Sequence, residues 1–208
     1  MIKALIFDFD GVIVRTEDYS PRHAWDTRLG LPIGSVERAV HHSDLWIQAQ
    51  LGRISEAAYW RGVAELLYMR GDDISQLRRD YFSGDRLNYR VLDYIRELRQ
   101  QGYTVAMLCN ESLQLENRLR ELGIRDLFDP VLVSAQIGVM KPDPTAYRVA
   151  LHELRVAPRE AVLIDDTLAN VRAAQAVGMH ALLFRPETNL RQELAPYLSD
   201  STPEPVPE

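Results

Sequence analysis

Two aspartates near the start of the chain are the residues best placed to do chemistry. Asp8 and Asp10 follow the apolar run 2–7 and precede Gly11, as expected where a buried strand ends. Residues two positions apart in a strand share a face, so both carboxylates would point to the same side. Two such charges repel each other unless a cation lies between them. A polar strand end with a glycine turn is the simpler interpretation, and only the rest of the chain decides between the two.

Further polar residues stand at the ends of other predicted strands. One apolar run leads into Cys109 and Asn110, another leads into Asp165 and Asp166, and Lys141 lies shortly before the helix that precedes the second run. In a parallel sheet these residues would meet the first two aspartates in one cleft. Four carboxylates there require a hard cation with oxygen ligands, for which Mg²⁺ is the ordinary candidate. The lysine would help to neutralise a bound dianion such as phosphate.

The order of the predicted elements explains how these segments would meet. Beyond residue 88 the apolar pattern alternates between helix and strand, with strands predicted at 103–108, 131–133, 161–164 and 180–184. Asp143 and Pro144 fit the cap and the first turn of one intervening helix. This alternation is typical of an α/β fold in which helices cover both faces of a parallel sheet.

Residues 15–87 follow a different pattern. They show helical spacing without a convincing strand, and Ser55 fits the start of one helix. We therefore predict a helical insertion at 15–87 between two parts of a core, 1–14 and 88–200. The last residues, 201–208, alternate proline with acid and lack apolar anchors, which predicts a disordered tail.

The composition limits the classes of function. The 208 residues are 46% hydrophobic and 26% charged, with a net charge of −6, which is typical of a soluble globular protein. The chain has no long basic run, so we expect neither nucleic acid nor an anionic membrane as its main partner. The one cysteine excludes an internal disulfide and suits a reducing compartment. We therefore expect a cytoplasmic protein without a signal peptide or a transmembrane helix, of an oligomeric state that the sequence leaves open.

Four segments together resemble the motifs of the haloacid dehalogenase-like (HAD) hydrolases, in order and over nearly the whole chain. They are Asp8-Phe9-Asp10-Gly11-Val12, Asn110 after an apolar strand, Lys141-Pro142-Asp143, and 165–170 followed by 177–179. The resemblance implies a Rossmann-like core with a small all-helical cap inserted after the first strand. The segment 52–56 and the paired aspartates of the last motif are similar to the sugar-phosphatase and epoxide-hydrolase N-terminal-domain branch.

The resemblance implies catalytic roles for the first three motifs. Asp8 would be the nucleophile that attacks phosphorus and forms an aspartyl-phosphate, which splits one hard step into two. Asp10 would protonate the leaving alkoxide and then deprotonate the water that resolves the intermediate. Lys141 would tie the nucleophile to the phosphate, and the phosphate would bind at Cys109 and Asn110.

The resemblance also implies a bound Mg²⁺. Asp8, the backbone carbonyl of Asp10, and Asp166 would hold the ion, with Asp165 among the ligands or directly behind them. The positive charge would screen the anionic nucleophile from the anionic substrate. Asn170 would help to orient the loop that binds the metal.

One position departs from the family pattern. Cys109 stands where the family has serine or threonine, and a thiol is a weaker hydrogen-bond donor than a hydroxyl. Cys109 is either a small buried residue at a strand end, the interpretation that we favour, or a cause of weak phosphate binding. Glu111 adds a negative charge where phosphate should approach. These two residues leave open a slow enzyme, or a phosphate-binding protein without turnover.

Substrate contacts are expected from the helical insertion. His23 is the best candidate, because it lies on the first helix of the insertion and close in sequence to the catalytic loop. The other candidates are Arg22, Trp25, His41, His42 and Trp46. Residues of these types are more often core or solvated surface than ligand contacts.

Asp10 distinguishes the chemistries that remain. Cleavage of a phosphate ester needs an acid, whereas a departing halide does not, and dehalogenases that resemble this chain lack the second aspartate. We therefore expect a Mg²⁺-dependent phosphatase that acts on a small phosphorylated metabolite. The alternatives are a phosphoglucomutase-like phosphotransferase, which 10–14 followed by Glu17 also resembles, a 2-haloacid dehalogenase, and a weakened phosphate-binding protein.

Overall fold

The computed structural model describes residues 1–69 and 73–198. Its strands are β1 (Ala4–Phe7), β2 (Val14–Thr16), β3 (Asp85–Leu87), β4 (Thr104–Cys109), β5 (Val131–Val133), β6 (Ala161–Asp165) and β7 (His180–Leu183). Its α-helices are α1 (Ser20–Arg28), α2 (Ser35–His41), α3 (Asp44–Gln50), α4 (Glu56–Leu66), α5 (Asp73–Tyr81), α6 (Tyr89–Gln100), α7 (Leu115–Glu121), α8 (Ser134–Ile137), α9 (Pro144–Leu154), α10 (Leu168–Ala176) and α11 (Leu190–Leu198). Within these residues, none of the helices has both the length and the apolar character needed to cross a membrane.

Five strands form a parallel sheet in the order β5, β4, β1, β6, β7. The middle strand, β1, pairs with both neighbours, and Phe7 lies opposite Met107 on one side and Ile164 on the other. The carboxyl ends of β1, β4 and β6 therefore reach the same edge of the sheet. The predicted parallel sheet is confirmed, and its topology collects the three polar strand ends.

Helices cover both faces of this sheet. Phe7, Met107 and Ile164 point to one face and pack in a core with residues of α6, α7 and α11. Ile6 and Leu163, one position away along their strands, belong to a second core with residues of α9 and α10. This alternation follows from the two-residue period of a strand. Because both faces are covered, the strands read as continuous apolar runs in the sequence.

Helices α1 to α5 pack around a third apolar cluster, separate from the two sheet faces; we call these helices the helical unit. Trp25, Val40, Tyr59 and Leu77 are among its buried members. The predicted start at Ser55 is confirmed, because its side chain accepts a hydrogen bond of 3.2 Å from the amide of Ala58. The boundaries 1–14, 15–87 and 88–200 stay a prediction, and the predicted tail 201–208 lies outside the described residues.

The expected absence of strands from 15–87 is wrong at both ends of that range. β2 and β3 form an antiparallel ribbon in which Val14 lies opposite Leu87 and Thr16 opposite Asp85. Strands of three residues are too short for an apolar period to reveal them. The chain enters the helical unit after β2 and leaves it before β3, so the ribbon holds these two connections side by side.

A buried chain of charges joins the helical unit to the ribbon and the core. The side chain of Arg22 on α1 is 4% exposed, and its guanidinium lies 2.6 Å from Glu37 Oε2 and 3.0 Å from Asp85 Oδ1. It also stacks over the ring of Tyr81, 3.9 Å from the centroid. The other oxygen of Asp85 accepts a 2.6 Å hydrogen bond from Arg118 on α7. The three parts of the molecule are thus linked by one ionic network.

Replacing Arg22 with alanine tests this network. The change leaves Glu37 and Asp85 short of a buried partner, so we expect the free energy of unfolding to fall by about 3 kcal/mol or more. Arg28→Ala on the same helix is the matched control, because its ion pair with Asp73 is exposed. That loss should stay below about 1 kcal/mol. Urea unfolding of both variants makes the comparison, and equal losses would contradict the role given to the network.

Candidate active site

A buried lysine lies between two carboxylates at the carboxyl edge of the sheet. Lys141 Nζ is 2.9 Å from Asp8 Oδ1 and 2.6 Å from Asp165 Oδ2. Asp8 directly follows β1, and Asp165 is the last residue of β6. All three residues are buried. The structure therefore brings together three of the residues that the sequence selected from separate segments.

The carboxylate of Asp165 is fully engaged by the protein. Both of its oxygens accept from the Asn170 amide nitrogen, at 3.0 and 3.1 Å. Oδ1 also accepts a 2.9 Å hydrogen bond from the amide of Thr167, and Oδ2 accepts the bond from Lys141. These four contacts use the acceptor positions of a carboxylate. Asp165 and Asn170 thus fix the lysine and the loop that follows β6.

Three carboxylates form a cluster that fits a divalent cation. One oxygen each of Asp8, Asp165 and Asp166 lie within 4.8 Å of one another. Burial raises the pKa of Asp8, and Lys141 opposes that rise only in part. Burial and then the neighbouring Asp165 charge raise the pKa of Asp166. A hard cation would relieve this repulsion, and carboxylate oxygens are the ligands that Mg²⁺ prefers.

The turn after β1 presses against this cluster. Gly11 has a φ of +76°, and a Cβ atom at this position would lie 1.9 Å from Asp166 Oδ2. Only glycine fits there. The amide of Gly11 donates to the carbonyl of Val14 at 2.8 Å, which closes the turn. Asp10 within this turn is exposed, and its carboxylate is not part of the three-carboxylate cluster.

Asn110 holds the backbone of the lysine. Its amide nitrogen donates to the carbonyl of Lys141 at 2.7 Å, and its Oδ1 accepts from the amide of Lys141 at 2.8 Å. Its neighbour Cys109 is buried at the end of β4, with Sγ 3.7 Å from the carbonyl oxygen of Leu132. Burial raises the pKa of the Cys109 thiol, so the group is neutral. The site therefore contains a packed thiol and a positioning amide.

The helical unit reaches the site through α3, which the motifs did not indicate. Gln50 Nε2 donates to the carbonyl of Asn110 at 2.7 Å, and the Ser134 hydroxyl donates to the carbonyl of Gln50 at 2.7 Å. A Cβ atom on Gly52 would lie 2.2 Å from the carbonyl oxygen of Ala135. Gly52 also has a φ of +68°, and its place at the start of the segment 52–56 is a signal from which this close approach could have been predicted.

A cavity of ≈ 820 Å³ lies between the helical unit and the core; we call it the aromatic cavity. Its lining includes His41, Trp46, Tyr59 and Trp60 of the helical unit, Phe82 directly after α5, and residues of the segment 111–122 of the core. Glu111, the residue directly after Asn110, is one of the lining residues. The cavity therefore adjoins the loop whose Asn110 holds the backbone of Lys141.

The structure divides the candidates proposed for substrate contact. His41 and Trp46 line the aromatic cavity, but His23 does not. The His23 ring is half-buried and stacks on Tyr19, with 6.1 Å between the centroids. Arg22 and Trp25 are buried, and His42 is exposed. The substrate contact expected of His23 stays a prediction, because closeness in sequence to the catalytic loop does not by itself give the direction of a helical side chain.

Glu111 is a buried carboxyl at the border of the aromatic cavity and the site. Its Oε2 accepts a hydrogen bond of 2.7 Å from the amide of Ser112. Burial and then the charge of Asp10 raise the pKa of Glu111 to about 7, while Arg118 opposes the rise. That Glu111 lies where phosphate should approach stays a prediction, and its burial became visible only in the structure.

Comparison with known proteins establishes the family. The sequence profile of the haloacid dehalogenase-like hydrolases matches residues 2–178. The chain belongs to this family, which confirms the resemblance drawn from the motifs.

Individual relatives agree with this assignment. Sesquiterpene phosphatase astK of Aspergillus oryzae is 32% identical over 182 residues, which cover 86% of this chain and 88% of that protein. Bifunctional epoxide hydrolase 2 of Sus scrofa is 23% identical over 211 residues, which cover 93% of this chain but only 38% of that protein. A HAD-family enzyme of Bacteroides thetaiotaomicron, solved in complex with magnesium and inorganic phosphate, superposes with a TM-score of 0.79 at 20% identity. The match covers 93% of this chain and 99% of that one, and it establishes a shared fold.

The variant Glu111→Gln tests the burial of the Glu111 carboxyl. The pKa is raised from 4.5 in the unfolded chain to about 7 in the fold, so the folded state retains a proton that the unfolded state has lost between these pH values. Stability of the natural protein should therefore fall as the pH rises through this window, by on the order of 2 kcal/mol.

We expect Glu111→Gln to remove most of this decrease in the free energy of unfolding with rising pH. Glu121→Gln, at an exposed residue of the aromatic cavity, is the control and should show the same decrease as the natural protein. Urea unfolding between pH 5 and pH 8 measures the difference. A parallel pH dependence in all three proteins would show that Glu111 is not a buried acid.

Proposed function

We propose that this protein is a Mg²⁺-dependent phosphatase that hydrolyses a small phosphorylated metabolite through an aspartyl-phosphate on Asp8. The observation that carries the proposal is the pairing of the buried Lys141 ammonium with Asp8, beside the carboxylate cluster. A nucleophile that must approach a phosphate dianion needs such positive charge around it. The phosphatase name of a relative at 32% identity also supports the proposal.

Asp8 is held for attack through one of its oxygens. Its Oδ1 accepts a 2.8 Å hydrogen bond from the amide of Phe9 and lies 2.9 Å from Lys141 Nζ. We therefore assign Oδ2 as the atom that attacks phosphorus. The bond between phosphorus and the alcohol oxygen breaks as the new bond forms, which gives an aspartyl-phosphate and an alkoxide.

Asp10 moves the protons in both steps. In its protonated form it donates to the departing alkoxide, which leaves as an alcohol. The Asp10 carboxylate then takes a proton from the water that attacks the phosphorus of the aspartyl-phosphate, so that inorganic phosphate is released and Asp8 is regenerated. The exposure of Asp10 suits both roles, because leaving group and water must reach it.

Asp8, Asp166 and the backbone carbonyl of Asp10 would hold the Mg²⁺. Asp165 would lie directly behind them, since its oxygens are already engaged by Lys141, Asn170 and Thr167. A bound Mg²⁺ supplies positive charge that screens the nucleophile from the phosphate and stabilises the charge of the transferring group. The helical unit would act as the cap that excludes water from this centre.

The alternatives predict different products. A phosphoglucomutase-like phosphotransferase would interconvert sugar phosphates and release little free phosphate. A dehalogenase would release halide and would not depend on Asp10. A phosphate-binding protein without turnover would bind phosphate but release none from any ester. Asp10 favours the phosphatase over a dehalogenase, and Asp8 with Lys141 favours turnover over binding alone. The phosphatase name of the relative at 32% identity favours hydrolysis over phosphotransfer.

The dependence of rate on the leaving group tests the role of Asp10. We expect Asp10→Asn to lower kcat/KM, which reports the formation of the aspartyl-phosphate, by roughly 10²–10⁴ with an alkyl phosphate, whose alkoxide must be protonated. The loss should be clearly smaller with p-nitrophenyl phosphate, because p-nitrophenolate leaves without a proton. Asp93→Asn, at an exposed residue of α6, serves as the control and should match the natural protein. Equal losses on both substrates would remove Asp10 from the acid role.

Removal and return of the metal test the carboxylate cluster. Chelation with EDTA should abolish phosphate release, and added Mg²⁺ should restore it. Asp166→Asn removes one ligand charge, so we expect the Mg²⁺ concentration for half-maximal activity to rise by about tenfold or more. Full activity in EDTA, or an unchanged Mg²⁺ requirement in the variant, would contradict the assignment.

A further inference from the structure

We infer that the aromatic cavity receives the alcohol part of the substrate, and that this part is bulky, apolar and uncharged. The substrate would then be the monophosphate ester of a hydrocarbon-like alcohol rather than of a sugar or a polyol. This inference rests on the proposed phosphatase activity and adds the class of leaving group to it.

The position of the cavity places it beside the reacting groups. Val14, which forms a bridge with Asp10 in the catalytic turn, lines the cavity. So does Arg118, whose guanidinium lies 5.1 Å from the ring centroid of Phe9, the residue between the two catalytic aspartates. Glu111, a further lining residue, is close enough for Asp10 to raise its pKa. The cavity therefore borders the catalytic turn at Val14, Arg118 and Glu111, while Asp10 itself lies outside the lining.

One wall of the cavity is a continuous series of aromatic rings. The ring centroids of His41 and Trp46 are 5.0 Å apart, and those of Trp46 and Tyr59 are 5.5 Å apart. Trp60 continues the series at 5.1 Å from Tyr59 and 6.5 Å from Phe82. Covering apolar groups with such rings is favourable, because both surfaces are removed from water. The wall is thus suited to hydrocarbon.

The charges of the cavity lining nearly balance one another, with Glu111 only partly charged at neutral pH because its pKa is raised to about 7. Among the described residues the lining carries four arginines and four carboxylic acids: Arg78, Arg79, Arg86, Arg118, Glu56, Asp85, Glu111 and Glu121. Arg118 is paired with Asp85 at 2.6 Å, and Arg78 is paired with Glu56. A second anionic group on the substrate would therefore meet little net positive charge. This balance favours a substrate whose only charged group is its phosphate.

Several polar groups of the lining are already engaged within the protein. The Asn117 amide donates to Gln114 Oε1 at 3.3 Å and its oxygen accepts from Arg120 at 3.0 Å. The hydroxyl of Tyr59 donates to the carbonyl of Val40 at 2.6 Å. A sugar needs several convergent hydrogen-bonding partners to repay the loss of its hydration. With these groups engaged, and with ≈ 820 Å³ of space, the cavity fits a large apolar group better.

A comparison of leaving groups tests the inference. Geranyl monophosphate carries a branched apolar chain, whereas glucose 6-phosphate and glycerol 3-phosphate carry polar alcohols; p-nitrophenyl phosphate reports general phosphatase activity. We expect kcat/KM for geranyl monophosphate to exceed those of both polar esters by about tenfold or more, mainly through a lower KM. Equal or higher kcat/KM for either polar ester would overturn the inference.

Two variants locate the effect in the cavity. Leu113 lines the cavity and is 51% exposed, so Leu113→Asn should fold normally. We expect it, and Trp60→Ala, to lower the ratio of kcat/KM for geranyl monophosphate to that for glycerol 3-phosphate by about fivefold or more. Tyr68→Ala, at a residue that is 87% exposed and outside the cavity lining, is the control and should leave the ratio unchanged.

The outcomes separate the two proposals. If no ester is hydrolysed, p-nitrophenyl phosphate included, the phosphatase proposal fails and the inference fails with it. If p-nitrophenyl phosphate is hydrolysed but the ratio does not change in Leu113→Asn, the phosphatase proposal stands and the role of the cavity is contradicted.

Discussion

The burial of one ammonium group between two carboxylates is the constraint on which the site depends. Burial alone would lower the pKa of Lys141, but Asp8 and Asp165 raise it, so the lysine stays charged. A buried charge is tolerated only when its partners are fixed around it. This requirement links β1, β6 and the segment before α9, and it explains why their ends must meet at one edge of the sheet.

The surrounding residues keep those partners in place. Asn110 fixes the backbone of the lysine, and Asn170 fixes the carboxylate of Asp165. Gly11 lets the catalytic turn approach Asp166 more closely than any side chain would allow. Since Gln50 of the helical unit contacts the carbonyl of Asn110, the same network also determines where that unit sits. The helical unit is therefore connected to the site through a polar contact, while the strands that carry the site belong to the apolar core.

Sequence patterns predicted the parts of the molecule that have a regular period or a known spacing. The parallel sheet follows from its apolar runs, and the meeting of Asp8, Lys141 and Asp165 follows from the edge that they share. Contacts without a period were not predictable: the short ribbon of β2 and β3, and Gln50 against Asn110, depend on tertiary packing. Sequence distance likewise does not give the direction of a side chain, so the role expected of His23 stays a prediction.

The charge balance around the aromatic cavity was hidden from the sequence in the same way. Arg118 and Asp85 are far apart along the chain, and only the fold makes them a pair. The sequence showed an acidic chain with scattered arginines, from which no leaving group follows. Once the pairs are known, the cavity becomes a largely neutral, aromatic space beside a strongly polar centre. That contrast within one site is the physical basis for the substrate that we infer.

The central claim is that Asp8, held by Lys141, carries the phosphoryl group during turnover. Rapid acid quenching of the Mg²⁺-loaded protein with a substrate labelled at phosphorus, followed by peptide mapping, tests it directly. We predict label on the peptide that contains Asp8, removable by hydroxylamine as expected for an acyl phosphate, and no label in Asp8→Asn. Label on a different residue, or full turnover by Asp8→Asn, would contradict the account.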